Sequence, residues 1–314
     1  MPEAFDSHAP PAADPKTAVC DTFRAALAGF RRDGPVLVMG HNDADGLAAT
    51  AILVRALRGG GWIATPRILG RGENPWSAKM AAELAGGPRL GGIVATDLGT
   101  RPGAIKPGTP TVIVDHHVPA GTPEDATTVI TGHAFDPIPT SSLLTYWCAG
   151  AAVAEPEPLL WLAALGLIGD MAEKAGFPEM EAARRACGVT ALRDAVTLLN
   201  APRRSASGDA GPALALLLKA SGPKEIISGQ HPETEALRAA REEVKAALEA
   251  AKRIGPKVRG GVALIRFHSA CQIHPLVAQA WRGRLKDNIV LAANTGYRPG
   301  WVHFAARTAV RGVD

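Results

Sequence analysis

Short apolar runs recur along the first half of the chain, and each stops on acidic or imidazole residues. Residues 36–39 (VLVM) read as a buried parallel strand that runs directly into His41-Asn42-Asp43-Ala44-Asp45-Gly46. Residues 92–96 (GIVAT) form a second such run, ending at Asp97, and residues 111–114 (TVIV) a third, ending at Asp115-His116-His117. Residues 126–131 are a fourth candidate, before Gly132 and His133. Helical spacing fills the intervals: 17–32 up to the stop at Asp33-Gly34-Pro35, 47–57 closing on Arg58 and three glycines, 140–152, and 158–168 ending on Gly169-Asp170. Short strands alternating with helices predict an α/β fold built on a doubly wound, mostly parallel sheet. No internal repeat is visible.

The second half is organised differently. Residues 201–211 (APRRSASGDAG) read as a polar loop and a domain boundary. Beyond His231-Pro232 a long amphipathic segment runs to about Arg253, with Leu237, Ala240, Val244, Leu248 and Ala251 forming one buried stripe. It predicts a connector helix. After Gly260-Gly261, strand-like 262–267, helical 275–284, and strand-like 288–293 and 301–305 predict a second, smaller α/β domain. The expected organisation is a tail and first helix (1–30), a main domain (31–210), the connector (230–254) and the smaller domain (255–314).

A length of 314 residues with 46% apolar side chains suits roughly two domains with a sizeable core. Mean hydropathy is +0.05, and no run approaches the ~18 apolar residues a membrane span needs. The first fifteen residues lack an apolar signal segment and read as a loose tail. Cys20, Cys148, Cys187 and Cys271 lie far apart without a CxxC pair. That disfavours a zinc knuckle or disulfide scaffold and predicts a reducing, cytoplasmic setting.

Charge divides unevenly. Residues 1–200 carry 16 Lys and Arg against 21 Asp and Glu, whereas residues 201–314 carry 18 against 9. Two readings fit. Either one lobe holds cations and the other grips a polyanion, or the basic half is simply a solvated helical surface.

Open α/β sheets bind ligands at the carboxyl ends of their strands. That edge would gather Asp43, Asp45, Asp97 and Asp115-His116-His117, with Asp170 approaching after its helix. Taken singly, each has a structural reading: an N-cap, an Asx-turn or a hydrogen-bonded buried pair. Taken together, clustered carboxylates repel one another unless cations lie between them. A mixed carboxylate–imidazole set suits Mn²⁺ better than Ca²⁺. Two such ions ~3.5–4 Å apart can activate a shared water and clamp a phosphoryl centre.

The ordered set resembles the DHH phosphoesterase superfamily, and its RecJ-like branch in particular. The first motif, His-x-Asp-x-Asp-Gly, stands as His41-Asn42-Asp43-Ala44-Asp45-Gly46; the second is Asp97, the third Asp115-His116-His117, and the fourth Gly169-Asp170. The pyrophosphatase and nanoRNase-like branches usually place a His four residues before the first Asp, where this chain has Met39. The resemblance covers residues 30–175 strongly and 255–314 weakly. It implies that Asp43, Asp45, Asp97, His116 and Asp170 are metal ligands, with Asp97 bridging. It also implies that His117 touches the scissile phosphate, that Asp115 orients the histidines, and that His41 is a ligand or a donor beside the ligands. The cofactors it implies are two divalent ions, Mn²⁺ or else Mg²⁺.

Residues 255–314 resemble the family's DHH-associated substrate-binding domain. Trp301-Val302-His303-Phe304-Ala305-Ala306-Arg307 is similar to its Ser-x-Arg strand, with Ala305 at the serine position and Arg307 as the phosphate-gripping residue. The family's Gly-Gly-His motif is not met before Asp314, so this domain is expected to be incomplete. His268, His274, Arg266, Arg282 and Arg284 are candidates for lining a substrate cleft, although Arg282 and Arg284 equally suit a helix C-terminus. Trp76, Trp281 and Trp301 are either base-stacking or core residues. His133 beside Asp136-Pro137 resembles a loop that lines the site in relatives.

These residues lead to an expected activity: a Mn²⁺-dependent phosphodiesterase acting on single-stranded DNA or short oligonucleotides from an end. Hydrolysis of a dinucleotide or cyclic dinucleotide is the enzymatic alternative. A non-catalytic nucleic-acid-binding scaffold on the same fold is the alternative of another class. No membrane partner is expected, and nothing in the sequence speaks to oligomeric state.

Overall fold

In a computed structural model, which describes residues 14–310 apart from 125, together with 312, the strands stand where the apolar runs place them. The first part of the chain runs α1 (Pro15–Ala28), β1 (Val36–Gly40), α2 (Ala44–Gly59), β2 (Ala64–Ile68), α3 (Ala78–Gly86), β3 (Gly92–Thr96), β4 (Thr111–Asp115) and β5 (Thr127–Thr131). Eight helices follow: α4 (Ser141–Ala149), α5 (Leu160–Gly169), α6 (Pro178–Cys187), α7 (Val189–Leu199), α8 (Ala201–Arg204), α9 (Gly211–Lys219), α10 (Pro223–Ser228) and α11 (Pro232–Lys252). The chain then forms β6 (Lys257–Arg259), β7 (Val262–Phe267), α12 (His274–Arg282), β8 (Ile289–Asn294) and β9 (His303–Thr308). The expected tail lies outside the described residues as far as position 13.

The first five strands form one sheet in the order β2-β1-β3-β4-β5, with every pair parallel. β1, β3 and β4 are buried along their whole length, as parallel strands covered on both faces must be. Alternate residues feed two cores. Val36, Val38, Val94, Val112 and Val114 pack with Val19, Phe23 and Leu27 of α1, Leu53 and Leu57 of α2 and Leu144 of α4. Leu37, Met39, Ile93, Ala95 and Ile113 pack with Met80 and Leu84 of α3 on the other face. This period of two is what a sheet between helical layers requires.

Other segments depart from the sequence reading. β2 and α3 had no expected counterpart: β2 carries Pro66 and Arg67 on an edge and is half exposed, so it lacks an apolar run. The polar stretch 201–211 is no gap between domains. Ala213, Leu214, Leu216 and Leu217 of α9, Ile226 of α10 and Leu237 of α11 all join the core built on α2, α4, α5 and α7.

The second sheet runs β6-β7-β8-β9, with β7 and β8 parallel and both outer strands antiparallel. Val244 and Ala251 of α11 pack with Val277 and Ala278 of α12 against Ile265, Phe267, Val290 and Ala292. α11 therefore contributes to both cores, and joins the two lobes as a packed element. None of the described helices is long and apolar enough to cross a membrane.

Candidate active site

The order β2-β1-β3 means that the chain leaves β1 in one direction for β2 and returns on the other side for β3. Loops diverge there and open a crevice at the carboxyl ends of β1 and β3. The four sequence motifs converge on that crevice.

Asp43 caps α2, accepting the Gly46 N–H on Oδ1 at 3.1 Å. Its Oδ2 faces His41 Nδ1 at 2.9 Å and also accepts from Arg203 of α8. Asp45, in the first turn of the helix, is fully buried. The backbone N–H groups of Ser141 and Ser142 donate to its Oδ2 and Oδ1 at 2.8 and 3.0 Å. The positive end of α4 is thus aimed at the carboxylate. Asp97 follows β3 directly with φ of 62°, a left-handed conformation that Asp tolerates better than most residues. Its Oδ1 accepts the Ser141 hydroxyl at 3.0 Å.

His116 inserts its ring among these acids. Nε2 lies 3.3 Å from Asp170 Oδ2, 3.6 Å from Asp97 Oδ1 and 4.0 Å from Asp45 Oδ2. Asp170 reaches the site as the residue that ends α5. Asp115 is fully buried and accepts the Gly99 N–H on Oδ2 at 2.8 Å. Its Oδ1 accepts the backbone N–H of His117 at 2.7 Å and faces His117 Nδ1 at 3.0 Å. That bond fixes the His117 ring, which is more than half exposed on the crevice.

Charge is poorly balanced. Burial, then the neighbouring Asp97 and Asp170, hold the Asp45 carboxyl well above the usual range. Burial, with Asp43 and Asp170 nearby, pushes Asp97 to about 6 despite its contact with His41. Burial disfavours charge on His116, yet Asp170, Asp45 and Asp97 raise it to about 9. His41 likewise reaches about 10 against burial, through Asp43 and Asp97. The His117 imidazole is raised by its bond to Asp115.

Among the described residues, three sets of donors lie close enough to share an ion: His41, Asp43 and Asp97; Asp45, His116 and Asp170; and Asp97, His116 and His117. His116 Nε2 is buried with no hydrogen-bond partner, an atom aimed at acids without a proton acceptor in good geometry. Carboxylates raised by mutual repulsion and an orphaned imidazole nitrogen are what divalent cations would reconcile. The residues fit such ions.

The crevice has a cavity volume of about 570 Å³. Its acidic floor is met by Arg71, Arg101 and Arg203, and by Gln272 and Tyr297 from the second lobe. Arg71 ties the lobes together: its Nη2 donates to the Ser205 carbonyl at 2.7 Å and its guanidinium lies 4.1 Å over the Tyr297 ring. The Gln272 N–H adds a bond to the Arg204 carbonyl at 2.8 Å.

Arg307, His274 and Arg282 are not among the residues lining this crevice. Arg307 is exposed on β9 and donates to the carbonyl of Ala306 beside it. His274 is buried under Tyr297 and His303, and burial lowers it to about 4. Arg282 is exposed at the far end of α12, about 12 Å along the helix from His274. The sequence reading also missed Ser141, Arg71, Arg101 and Arg203. Thr140-Ser141-Ser142 before a helical pattern is an N-cap signal, and Arg203-Arg204 stood in the stretch assigned to a boundary.

No protein-family model and no curated protein sequence matches the chain. Solved structures do. RecJ from Thermus thermophilus in complex with Mn²⁺ superposes with a TM-score of 0.66 at 21% identity, over 91% of this chain and 48% of that one. The chain therefore spans about half the length of that RecJ. A manganese-bound exonuclease RecJ gives a TM-score of 0.66 at 20% identity, over 88% of this chain and 80% of its own. A pGpG-specific phosphodiesterase from Vibrio cholerae gives 0.51 at 15% identity, over 88% and 84%.

Proposed function

We propose, from a chain whose fold is that of the RecJ-like DHH proteins, a Mn²⁺-dependent phosphodiesterase that hydrolyses single-stranded DNA or short oligonucleotides from an end. The observation that carries this reading is the set of acidic and imidazole donors around Asp97, which shares one crevice with Arg71, Arg101 and Arg203. Acids that can hold cations and arginines that can hold phosphate face the same space.

His41, Asp43, Asp45, Asp97, His116 and Asp170 would hold two divalent ions, Mn²⁺ or Mg²⁺, with Asp97 shared. Such ions supply an acidified water and charge neutralisation at phosphorus. The chain's own groups do the rest. Asp115 accepts from His117 Nδ1, which leaves Nε2 for the crevice, where the imidazolium form can donate a proton to a phosphoryl oxygen. The contact with Asp115 raises the basicity of the ring and so favours the imidazolium form that meets charge developing on the phosphate. Arg71 and Arg101 offer planar donors to flanking phosphates. Ser141 holds Asp97 and Asp45 at their separation.

A dinucleotide substrate is the second reading, favoured by the modest size of the crevice and by the likeness to the pGpG phosphodiesterase. The free cysteines accord with a cytoplasmic setting. The test is hydrolysis with Mn²⁺ of end-labelled strands from two to about twenty nucleotides, DNA and RNA in parallel. A ladder shortening from one end is the expected result. Cleavage confined to the shortest strands moves the assignment to dinucleotides, and no cleavage with metal bound overturns it.

A further inference from the structure

The second sheet packs one face on helices, and the other face carries Ala293, which is buried, among side chains that are half-buried or exposed. Ile265, Phe267, Val290, Ala292 and Ala305 point towards α11 and α12. Register places the alternate residues on the opposite face in three rows. Arg266, Ala293 and Phe304 lie side by side; Lys257, Leu264, Leu291 and Ala306 form the next row; Arg259, Val262, Ile289 and Thr308 the third. Phe304 is 57% exposed, and Trp301 just before the strand is 63% exposed. Lys257, Arg259 and Arg266 are exposed as well.

This face has a chemistry of its own. None of its eleven positions is acidic, and residues 251–314 as a whole carry eleven Lys and Arg against two Asp and Glu. Phe304 presents an exposed ring beside Ala293 with cations two and three strands away, a combination that can stack a base and hold its phosphate. Arg266 and Phe304 are separated by two strand spacings, about 10 Å, which allows one nucleotide to lay its base on the ring and its phosphate towards the guanidinium. The face also connects with the crevice: the Arg298 guanidinium lies beside Gly72 on the crevice wall and 5.8 Å from the Trp301 ring.

We propose that this open sheet face, centred on Phe304 and Arg266, is a second binding surface for single-stranded nucleic acid, holding the strand that extends beyond the crevice. The proposal rests on the phosphodiesterase reading only for the class of substrate. It implies that strands long enough to reach Phe304 bind more tightly than those filling the crevice alone. Base stacking on Phe304 and Trp301 supplies sequence-tolerant contact, and Lys257, Arg259 and Arg266 supply a salt-dependent one.

The test uses the full chain with metal chelated, and measures anisotropy of a labelled oligothymidylate of about twenty nucleotides. Phe304→Ala should weaken binding about tenfold, and Phe304→Tyr should restore it. Lys257→Ala with Arg266→Ala should flatten the slope of log affinity against log salt by about 1.4. Mn²⁺-dependent hydrolysis of a trinucleotide should stay at the level of the unsubstituted chain in each variant. Unchanged affinity for the long strand in Phe304→Ala overturns the proposal. So does a shift from dimer to monomer in sedimentation velocity, which would give the face to a second copy of the chain. Should the unsubstituted chain hydrolyse no strand while Phe304→Ala still weakens binding, the catalytic reading fails and the surface stands.

Discussion

The carboxylate of Asp45 and the backbone amide of Ser141 meet at 2.8 Å, at the first turn of α4. The bond spans 96 residues of sequence and ties the first motif to a helix that the motifs do not include. It also makes the site a compromise. Asp45 is fully buried beside Asp97 and Asp170, and the amides of α4 compensate only part of the charge.

Replacing Asp45 by Asn should therefore separate stability from function. Without metal, Asp45→Asn removes a disfavoured buried charge but gives up one of the two amide bonds from α4, so its melting temperature should stay close to that of the unsubstituted chain. With Mn²⁺ at about a hundred times its dissociation constant, the unsubstituted chain should gain about 2.7 kcal/mol and the variant little. Thermal melts in chelator and in Mn²⁺ read both. An equal Mn²⁺ gain in the variant would remove Asp45 from the metal site.

Ser141 offers a finer test. Its hydroxyl donates to Asp97 Oδ1 at 3.0 Å, and its backbone bond to Asp45 survives truncation of the side chain. Ser141→Ala should leave the fold within about 1–2 kcal/mol while lowering Mn²⁺ affinity about 10–100-fold, as loss of a group that orients a ligand does. Calorimetric titration of Mn²⁺ measures it. Unaltered affinity would mean that Asp97 is placed by its backbone alone.

Gly166 sits where α5 crosses this carboxylate. A Cβ there would fall 2.0 Å from Ser142 Oγ and 2.1 Å from Asp45 Oδ1, both within a buried network. Gly166→Ala should cost about 1–3 kcal/mol by overpacking and displace Asp45 from α4. Denaturant unfolding checks the first effect and Mn²⁺ titration the second. A neutral substitution would show that α5 can move away from α2.

How much of this was readable in the sequence follows from where the information lies. β1, β3 and β4 are buried on both faces, so their apolar runs stand out, and each ends on the residues that carry the chemistry. Asp43, Asp45, Asp97 and His116 were readable because each follows such a strand, and Asp170 because it ends the apolar helix α5. Arg71 and Arg203 were not, since a loop arginine becomes part of a crevice only when a distant segment closes over it. Arg71 is placed by Ser205 and Tyr297, 134 and 226 residues away. β2 was lost for a related reason: an edge strand carrying Pro66 and Arg67 has no period to detect. His274 was misplaced because a histidine just before a helix reads as a substrate contact until its buried neighbours are known.

That buried histidine supports a last prediction. Burial, together with His303, lowers His274 to about 4, and its ring lies against Tyr297 beneath the Arg71 contact. In the unfolded chain the same imidazole titrates near 6.5. A proton therefore binds the unfolded state first as pH falls, and folding stability should decline between about 6.5 and 4 by up to about 3 kcal/mol from this residue. Above 6.5 both states are neutral and the contribution is constant. His274→Leu should remove much of that decline, and because Tyr297 and Arg71 line the crevice, the acid loss should first loosen the contact between the lobes. Urea unfolding at a series of pH values, with Tyr297 exchange or fluorescence as the local probe, makes the comparison. Parallel pH profiles for the two chains would place the acid sensitivity elsewhere, among the carboxylates and imidazoles around Asp97.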